Sequence, residues 1–247
     1  MVRSLLIRGM LVGLGAGLLA FAFASIFGEP QVQHAIDFEE RVAALRHEPA
    51  APEVVSRGVQ RTLGLLTGTV ATGVALGGLL GLVFAYAYGR IGALRARATA
   101  ALLAAGALLS ITIVPFTKYP ANPPAVGNAD TIDRRTVLFF AMVAISVLAL
   151  VAAARAGRSL RPALGGWNAA IVGGVVFLVV IAVAELILPA VHETPAGFPA
   201  DVLYRFRVAS LGINATLWLA LGLGFGAVAE RVVEPRAARA RPLPSAA

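Results

Sequence analysis

Leu188-Pro189-Ala190-Val191-His192-Glu193-Thr194-Pro195-Ala196-Gly197-Phe198-Pro199-Ala200-Asp201-Val202-Leu203-Tyr204-Arg205-Phe206-Arg207 separates two long apolar stretches. Pro189, Pro195 and Pro199 each lack a backbone N–H and fix φ, so neither flanking helix continues through this segment. Each flanking stretch reaches about 20 residues, enough at about 1.5 Å per residue to cross a hydrocarbon core of about 30 Å. The segment is therefore a turn between two membrane helices, and the chain is an all-α integral membrane protein. Two roles fit the turn. It is either an interfacial loop whose prolines and Phe198 shape a bend, or a loop whose His192, Glu193 and Asp201 contact a substrate.

Composition agrees with the membrane reading. Of 247 residues, 58% are apolar, and the mean hydropathy is +0.81, above the balance of soluble domains. Cysteine is absent, which excludes disulfides, thiolate metal sites and a cysteine nucleophile. The net charge of +8 would suit nucleic acid if it lay on one face. The arginines instead stand at the ends of apolar runs, so the expected contact is the lipid bilayer, and no nucleic acid is expected.

Six apolar segments can be drawn, from about Leu5 to Phe27, Val59 to Tyr88, Ala98 to Phe116, Thr136 to Ala154, Trp167 to Leu188 and Phe206 to Ala229. They form three hairpins in one polytopic domain, 1–247. Gly28-Glu29-Pro30 is expected to end the first segment. Ala22-Phe23-Ala24 has the form of a signal-peptidase site, but the apolar core before it is long for a signal peptide, so a retained helix is the favoured reading.

Arginine placement gives the orientation. The N-terminus, 89–97, 155–166 and the tail from Glu230 hold Arg3, Arg8, Arg90, Arg95, Arg97, Arg155, Arg158, Arg161, Arg231, Arg236, Arg239 and Arg241, against only Glu230 and Glu234. This side is cytoplasmic, and both termini lie there. Residues 230–247 read as a disordered basic cytoplasmic tail. The other side carries most of the acids and His34, His47 and His192.

The longest outer loop, 29–58, contains a short amphipathic helix over about Gln31 to Glu48, with Val32, Ile36, Val42 and Leu45 as its apolar stripe. Pro49 and Pro52 end it. It either lies on the membrane surface or caps the bundle. Glu39, Glu48 and His47 read as a solvated face. Four prolines hold the second outer loop, Thr117 to Thr136, extended, with its carbonyls open to an ion or partner. Each outer loop also carries an acid four residues before an arginine, Glu53 and Arg57, Asp130 and Arg134, Asp201 and Arg205. This echoes a repeat in pattern but not in sequence. Glycines four apart, Gly9, Gly13 and Gly17, then Gly64 and Gly68, then Gly73, Gly77 and Gly81, then Gly222 and Gly226, are expected to line close helix–helix contacts.

Glu185 is the one acid inside a hydrophobic segment. Intramembrane carboxylates are costly and point to function. Pro189 also frees the carbonyl of Glu185 from its helical bond. Two readings stand. Glu185 joins His192, Glu193 and Asp201 around a divalent cation, such as cobalt, nickel, manganese or magnesium rather than copper(I). Or it snorkels to the interface and pairs with Arg205 or Arg207. Glu29, His34 and Glu40 in the first outer loop form a second candidate cation group. No prosthetic group is expected. His192-Glu193 lacks the second histidine of a zinc protease motif, and no Gly-rich loop precedes a phosphate-binding lysine. No nucleophile stands in a recognisable turn, so an enzyme is not expected.

Three strings carry a resemblance: Phe27-Gly28-Glu29-Pro30, Tyr119-Pro120-Ala121-Asn122-Pro123-Pro124-Ala125-Val126-Gly127, and Glu193-Thr194-Pro195-Ala196-Gly197-Phe198-Pro199-Ala200 running to Tyr204-Arg205-Phe206-Arg207. With them, nearly the whole chain resembles the CbtA family, predicted cobalt transporter subunits of bacteria. The resemblance implies a multi-pass protein of the bacterial inner membrane that moves Co2+ for cobalamin supply. It also implies a small single-helix partner, CbtB, that captures metal, and a span count of five, where hydropathy here gives six. The alternative function is a non-conducting membrane scaffold for that metal-capturing partner. Uncharged centres in the apolar segments favour the scaffold; Glu185 and the outer acids favour transport.

The arginine asymmetry generates the first prediction. A C-terminal alkaline phosphatase fusion is expected to be inactive and a C-terminal fluorescent protein fusion bright. Active phosphatase there would place the C-terminus outside and remove one crossing from the count.

Overall fold

A computed structural model describes residues 1–47 and 55–234. Among them there is no strand. Five helices are long and apolar enough to cross a membrane: α1 (Val2–Leu45), α2 (Arg57–Ala87), α3 (Ala96–Lys118), α4 (the long helix of Ala129–Ile187, α-helical over Ile132–Ile187) and α5 (Ala200–Val233). The expected helix ends near Pro49 and Pro52, the Glu53–Arg57 pair, the solvated Glu48, and the tail beyond Glu234 fall outside the described residues.

One proline does not end its helix as expected. α1 runs through Gly28-Glu29-Pro30 without a break, and Ala22-Phe23-Ala24 lies within it. A π-helical turn spans Ala24–Gly28, and Pro30 falls in the first turn of the α-helical stretch Glu29–Leu45. The wider turn shifts the hydrogen-bond ladder by one residue, so the missing N–H and the ring of the proline are accommodated. The same device recurs in α3, where a π-helical turn over Leu108–Ile113 precedes Pro115 in the stretch Val114–Lys118. Pro189 does end its helix, at Ile187.

α4 is 56 residues long but is not one rod. Pro162 lies inside it, and Gly165 takes φ 76° and ψ 168°, outside helical space. A Cβ on Gly173 would lie 2.8 Å from the carbonyl oxygen of Ala153. Twenty residues of straight helix would hold those positions about 30 Å apart. The chain therefore folds back at Gly165, and the arms before and after it pack side by side. Thus the expected fourth and fifth segments are the two arms of one long element.

The chain divides into two compact units. The first comprises Met1–Ser25, Val55–Ala105 and the chain from Ile213. In it α1 and α2 meet backbone to backbone. A Cβ on Gly17 would lie 2.7 Å from the Thr69 carbonyl oxygen, and one on Gly81 2.6 Å from that of Leu5. Gly9 against Gly77 and Gly13 against Gly73 are closer still. In α5, a Cβ on Gly222 would sit 2.8 Å from the Ala104 Cβ of α3. Gly64 and Gly68 take no part in an interhelical seam, and Gly68 faces open space. Phe84 stacks on Tyr88 and meets Phe225 edge-on, at ring separations of 5.1 and 5.3 Å.

The acids near the end of α5 serve this unit. Glu234 Oε1 accepts from the Tyr88 hydroxyl (3.0 Å) and from the Ala96 N–H (2.8 Å), capping the first turn of α3. Arg97 donates Nε and Nη2 to Glu230 Oε2 at 2.8 and 2.7 Å.

The second unit comprises Ile26–Val54 and Gly106–Gly212. One core gathers Val114, Tyr119, Met142, Ala149, Ala153, Phe177 and Ala184 from α3 and both arms of α4. A smaller core joins Ala35 of α1 to Val126, Phe198 and Val202. The stretch Glu29–Leu45 of α1 therefore packs on the loop after α3 and on the loop and first turn that follow α4. Its contact face is not the expected stripe. Ala35 is fully buried and Phe38 meets Phe198 at 5.0 Å, whereas Leu45 is 81% exposed.

The glycine seam yields the second prediction. Gly77→Leu would drive a side chain into the backbone of Gly9 and Gly13, whose Cα lies 2.9 Å from an added Cβ. We expect a loss of about 3 kcal/mol or more, since backbone cannot rotate aside as a side chain can. Gly68→Leu, facing open space, should behave like the parent. Thermal denaturation in detergent measures both, and a Gly77→Leu protein as heat-resistant as the parent would refute the seam.

Candidate functional site

The loops after α3 and α4 are built on two matching turns. In Pro123-Pro124-Ala125-Val126 the Val126 N–H donates to the Pro123 carbonyl at 3.2 Å, with Ala125 at φ 64°. In Pro195-Ala196-Gly197-Phe198 the Phe198 N–H donates to the Pro195 carbonyl at 3.2 Å, with Gly197 at φ 80°. A positive φ at the third residue is the mark of a type II turn, which favours glycine there. Ala125 holds it at a cost of order 1 kcal/mol. Each turn delivers one apolar residue, Val126 or Phe198, to the shared small core.

Polar groups then fasten the two loops together. Glu193 Oε2 accepts from the Asn128 N–H (2.8 Å) and the Thr131 hydroxyl (2.9 Å), and Arg135 Nε stands 3.5 Å away. The Gly127 N–H donates to the Glu193 carbonyl at 3.2 Å. Gly127 has φ 118°, and the Arg135 guanidinium fills the space a side chain there would need. The Asn128 N–H and Thr131 hydroxyl, with Arg135 and Arg134 behind them, hold the Glu193 carboxyl below the usual carboxylate range. The Tyr119 hydroxyl donates to the Pro189 carbonyl at 2.8 Å. Burial, and then the Glu185 charge, push that phenol up.

Glu185 is where sequence and structure diverge most usefully. The Thr117 hydroxyl donates to Glu185 Oε1 at 2.6 Å, and the Lys118 ammonium donates to the Glu185 carbonyl oxygen at 2.5 Å. The expected partners, Arg205 and Arg207, are not used. Arg207 reaches instead to the Ala121 carbonyl (3.4 Å) and Asn122 Oδ1 (3.1 Å). The carbonyl freed by Pro189 is real, but Lys118, the last residue of α3, occupies it. The carbonyls of the loop after α3 are likewise engaged: those of Ala121, Pro123 and Asn128 all accept hydrogen bonds.

The remaining candidates are spread out. His192 is exposed, and Asp201 is exposed in the first turn of α5. In α1, Glu29 is half-buried at the start of the Glu29–Leu45 stretch, and His34 and Glu40 are exposed further along it. Among the described residues no three His, Asp or Glu side chains come together as an ion-binding group. Deeper in the same unit, Ser110, Thr112 and Ser146 are buried. Ser110 donates to the Gly106 carbonyl at 2.7 Å, while the Ser146 hydroxyl, fully buried, has no hydrogen-bond partner.

Sequence reasoning missed Thr117, Lys118, Tyr119 and Arg135. One signal was available. Lys118 is the only lysine among 21 basic residues. A compact ammonium with three rotatable donors suits a lone carbonyl, whereas a guanidinium suits a carboxylate.

A protein-family model described as "Probable cobalt transporter subunit (CbtA)" matches residues 2–230. No curated protein and no solved structure matches the chain.

The Glu193 clasp predicts a pH dependence. A carboxyl depressed in the fold contributes stability above its ordinary value of about 4.5, and that contribution is lost as pH falls through the depressed folded value. The Asn128 amide should therefore exchange slowly at neutral pH and faster as the medium is acidified below 4.5. In Glu193→Gln it should exchange fast throughout. Hydrogen exchange corrected for intrinsic rate measures this, and a pH-independent Asn128 amide in the parent would remove Glu193 as its partner.

Proposed function

The chain belongs to the CbtA family, and from that premise we propose that it is the membrane subunit that admits Co2+ at its outer face and passes it through the helix bundle. The chain crosses the membrane six times with both termini in the cytoplasm, in the bacterial inner membrane. The arginine asymmetry supports that topology, and so does the fold-back at Gly165, which makes two crossings of α4. The partner is a small single-helix CbtB-like subunit that hands over the metal, and the ion serves cobalamin supply.

One observation carries the proposal: Glu185, within the apolar stretch, offers a carboxylate and a helix-freed carbonyl, and its carbonyl already binds a cation, the Lys118 ammonium. Oxygen ligands of this kind suit a hard or borderline divalent ion. Entry of Co2+ displaces Lys118 from the carbonyl and Thr117 from the carboxylate. His192, exposed nearby in sequence, supplies an imidazole, and Glu193 and Asp201 add negative charge along the same loop. Glu29, His34 and Glu40, spread along α1, add charge and an imidazole to the approach without forming a shared site. Beyond Glu185, the buried hydroxyls of Ser110, Thr112 and the unpartnered Ser146 offer neutral oxygens along α3 and α4.

The scaffold reading keeps one observation in its favour. Glu193 is already held by Asn128, Thr131 and Arg135, so it serves loop architecture whether or not an ion binds.

Accumulation of labelled cobalt decides between them, measured per unit of membrane-inserted protein, with and without the small partner. We expect Glu185→Gln to lower accumulation about tenfold, the scale of about 1.4 kcal/mol, and His192→Ala to lower it less. Lys118→Met, which removes the competing ammonium, should raise cobalt affinity. Parent-level accumulation in all three variants would leave the outer loops as a structural cap and favour the scaffold.

A further inference from the structure

The second unit contains a cavity of about 410 Å³ beside the seam of the α4 arms, with Leu109 of α3 on its wall. Leu109, Leu150 and Phe177 form its apolar wall. Its floor is small because the arms meet through glycine. Besides Gly173 on Ala153, a Cβ on Gly157 would lie 3.2 Å from the Ala169 carbonyl oxygen. Gly174, which also lines the cavity, has nothing within 4 Å of where a Cβ would stand. The trough is thus unfilled at Gly174, where the floor has room.

One end of this trough is cationic. Arg158 and Gly166 line it there, and Arg161 Nε lies 3.7 Å from a Cβ built on Gly166. Arg155 stands one turn earlier, and no acid occurs between residues 155 and 166. These arginines belong to the stretch that the charge asymmetry assigns to the cytoplasmic headgroup level.

We propose that this trough binds one anionic glycerophospholipid, with an acyl chain along Leu109, Leu150 and Phe177 and its phosphodiester at Arg158 and Arg161. The complementarity is that of an amphiphile: an apolar channel with Arg158, whose Nε donates to the Ala154 carbonyl, and Arg161 near one end. Arginine suits a phosphodiester through its planar fork of donors, and basic pockets between membrane helices on the cytoplasmic side recognise anionic headgroups. A partner helix fits less well, because an apolar spanning helix brings no anion for the guanidinium groups at the end of the trough, where an anionic lipid brings a phosphodiester.

The test uses the full chain in detergent, with dioleoylphosphatidylglycerol, dioleoylphosphatidylcholine and inorganic phosphate as probes. Native mass spectrometry counts retained lipid, and thermal denaturation reads stabilisation. We expect preferential retention of one phosphatidylglycerol and a raised Tm with that lipid, not with phosphatidylcholine or phosphate. The double variant Arg158→Gln with Arg161→Gln should lose that preference by roughly tenfold. Gly174→Leu, which fills the floor, should lose retention with the arginines intact, while Gly68→Leu in the first unit should keep it. Equal retention of both lipids overturns the proposal. So does stabilisation by phosphate alone, unchanged retention in the arginine double variant, or displacement of the lipid by a co-expressed membrane helix. Should Gly174→Leu fail to fold, the arginine variant, which alters only exposed side chains, still decides.

Discussion

The carbonyl oxygen of Glu185 has no N–H to bind four residues on, because that residue is Pro189, and Lys118 supplies the missing donor. In a bilayer an unmet backbone group costs several kcal/mol, so every place where a helix stops or changes pitch must find its own partner. Much of the second unit follows from that one constraint. Lys118 can reach Glu185 because α3 ends at that residue, and Tyr119, next along the chain, bonds the Pro189 carbonyl. The loop after α3 and the loop after α4 are thereby tied at their roots. The two proline turns and the Glu193 clasp then continue the same union outward.

The same constraint explains why prolines have three different outcomes. At Pro30 and Pro115 a π-helical turn comes just before the proline and the helix goes on. At Pro162 the break is delayed to Gly165, whose positive φ lets the chain reverse. At Pro189 the helix stops and side chains from another loop take over its bonds. A proline in an apolar run thus marks a disturbed ladder, and its surroundings decide whether that becomes a bulge, a reversal or an end.

These outcomes separate what sequence could and could not disclose. Hydropathy located the long apolar helices, because membrane crossing depends on length and composition alone. Glycine spacing located the α1–α2 seam, since Gly9, Gly13 and Gly17 recur on one helical face and have a counterpart in Gly73, Gly77 and Gly81. Gly64 and Gly68 share that spacing and face no neighbouring helix, because spacing says which residues share a face and not what the face meets. The all-α class was legible for the same local reason. The partners of Glu185 were not. Thr117 and Lys118 lie 68 and 67 residues away, and arginines on the near loop looked equally suitable. Nor could periodicity separate Ala35, which is buried, from Leu45, which is not, since an apolar stripe at the water interface carries little information about what covers it.

The α1–α2 seam has one further property. Its contacts join backbone to backbone, at intervals of four residues on both helices, with Gly9 on Gly77, Gly13 on Gly73 and Leu5 on Gly81. Sliding one helix by four residues, about 6 Å, would lay glycine on glycine again, as Gly13 on Gly77 or Gly9 on Gly73. The seam therefore fixes how close the helices lie but barely fixes their register. Register must come from bulkier fittings such as the Leu6 and Met10 side chains of α1, which close on Gly78 of α2, so the contact resembles a rail with a stop at one end more than a set of interlocking teeth.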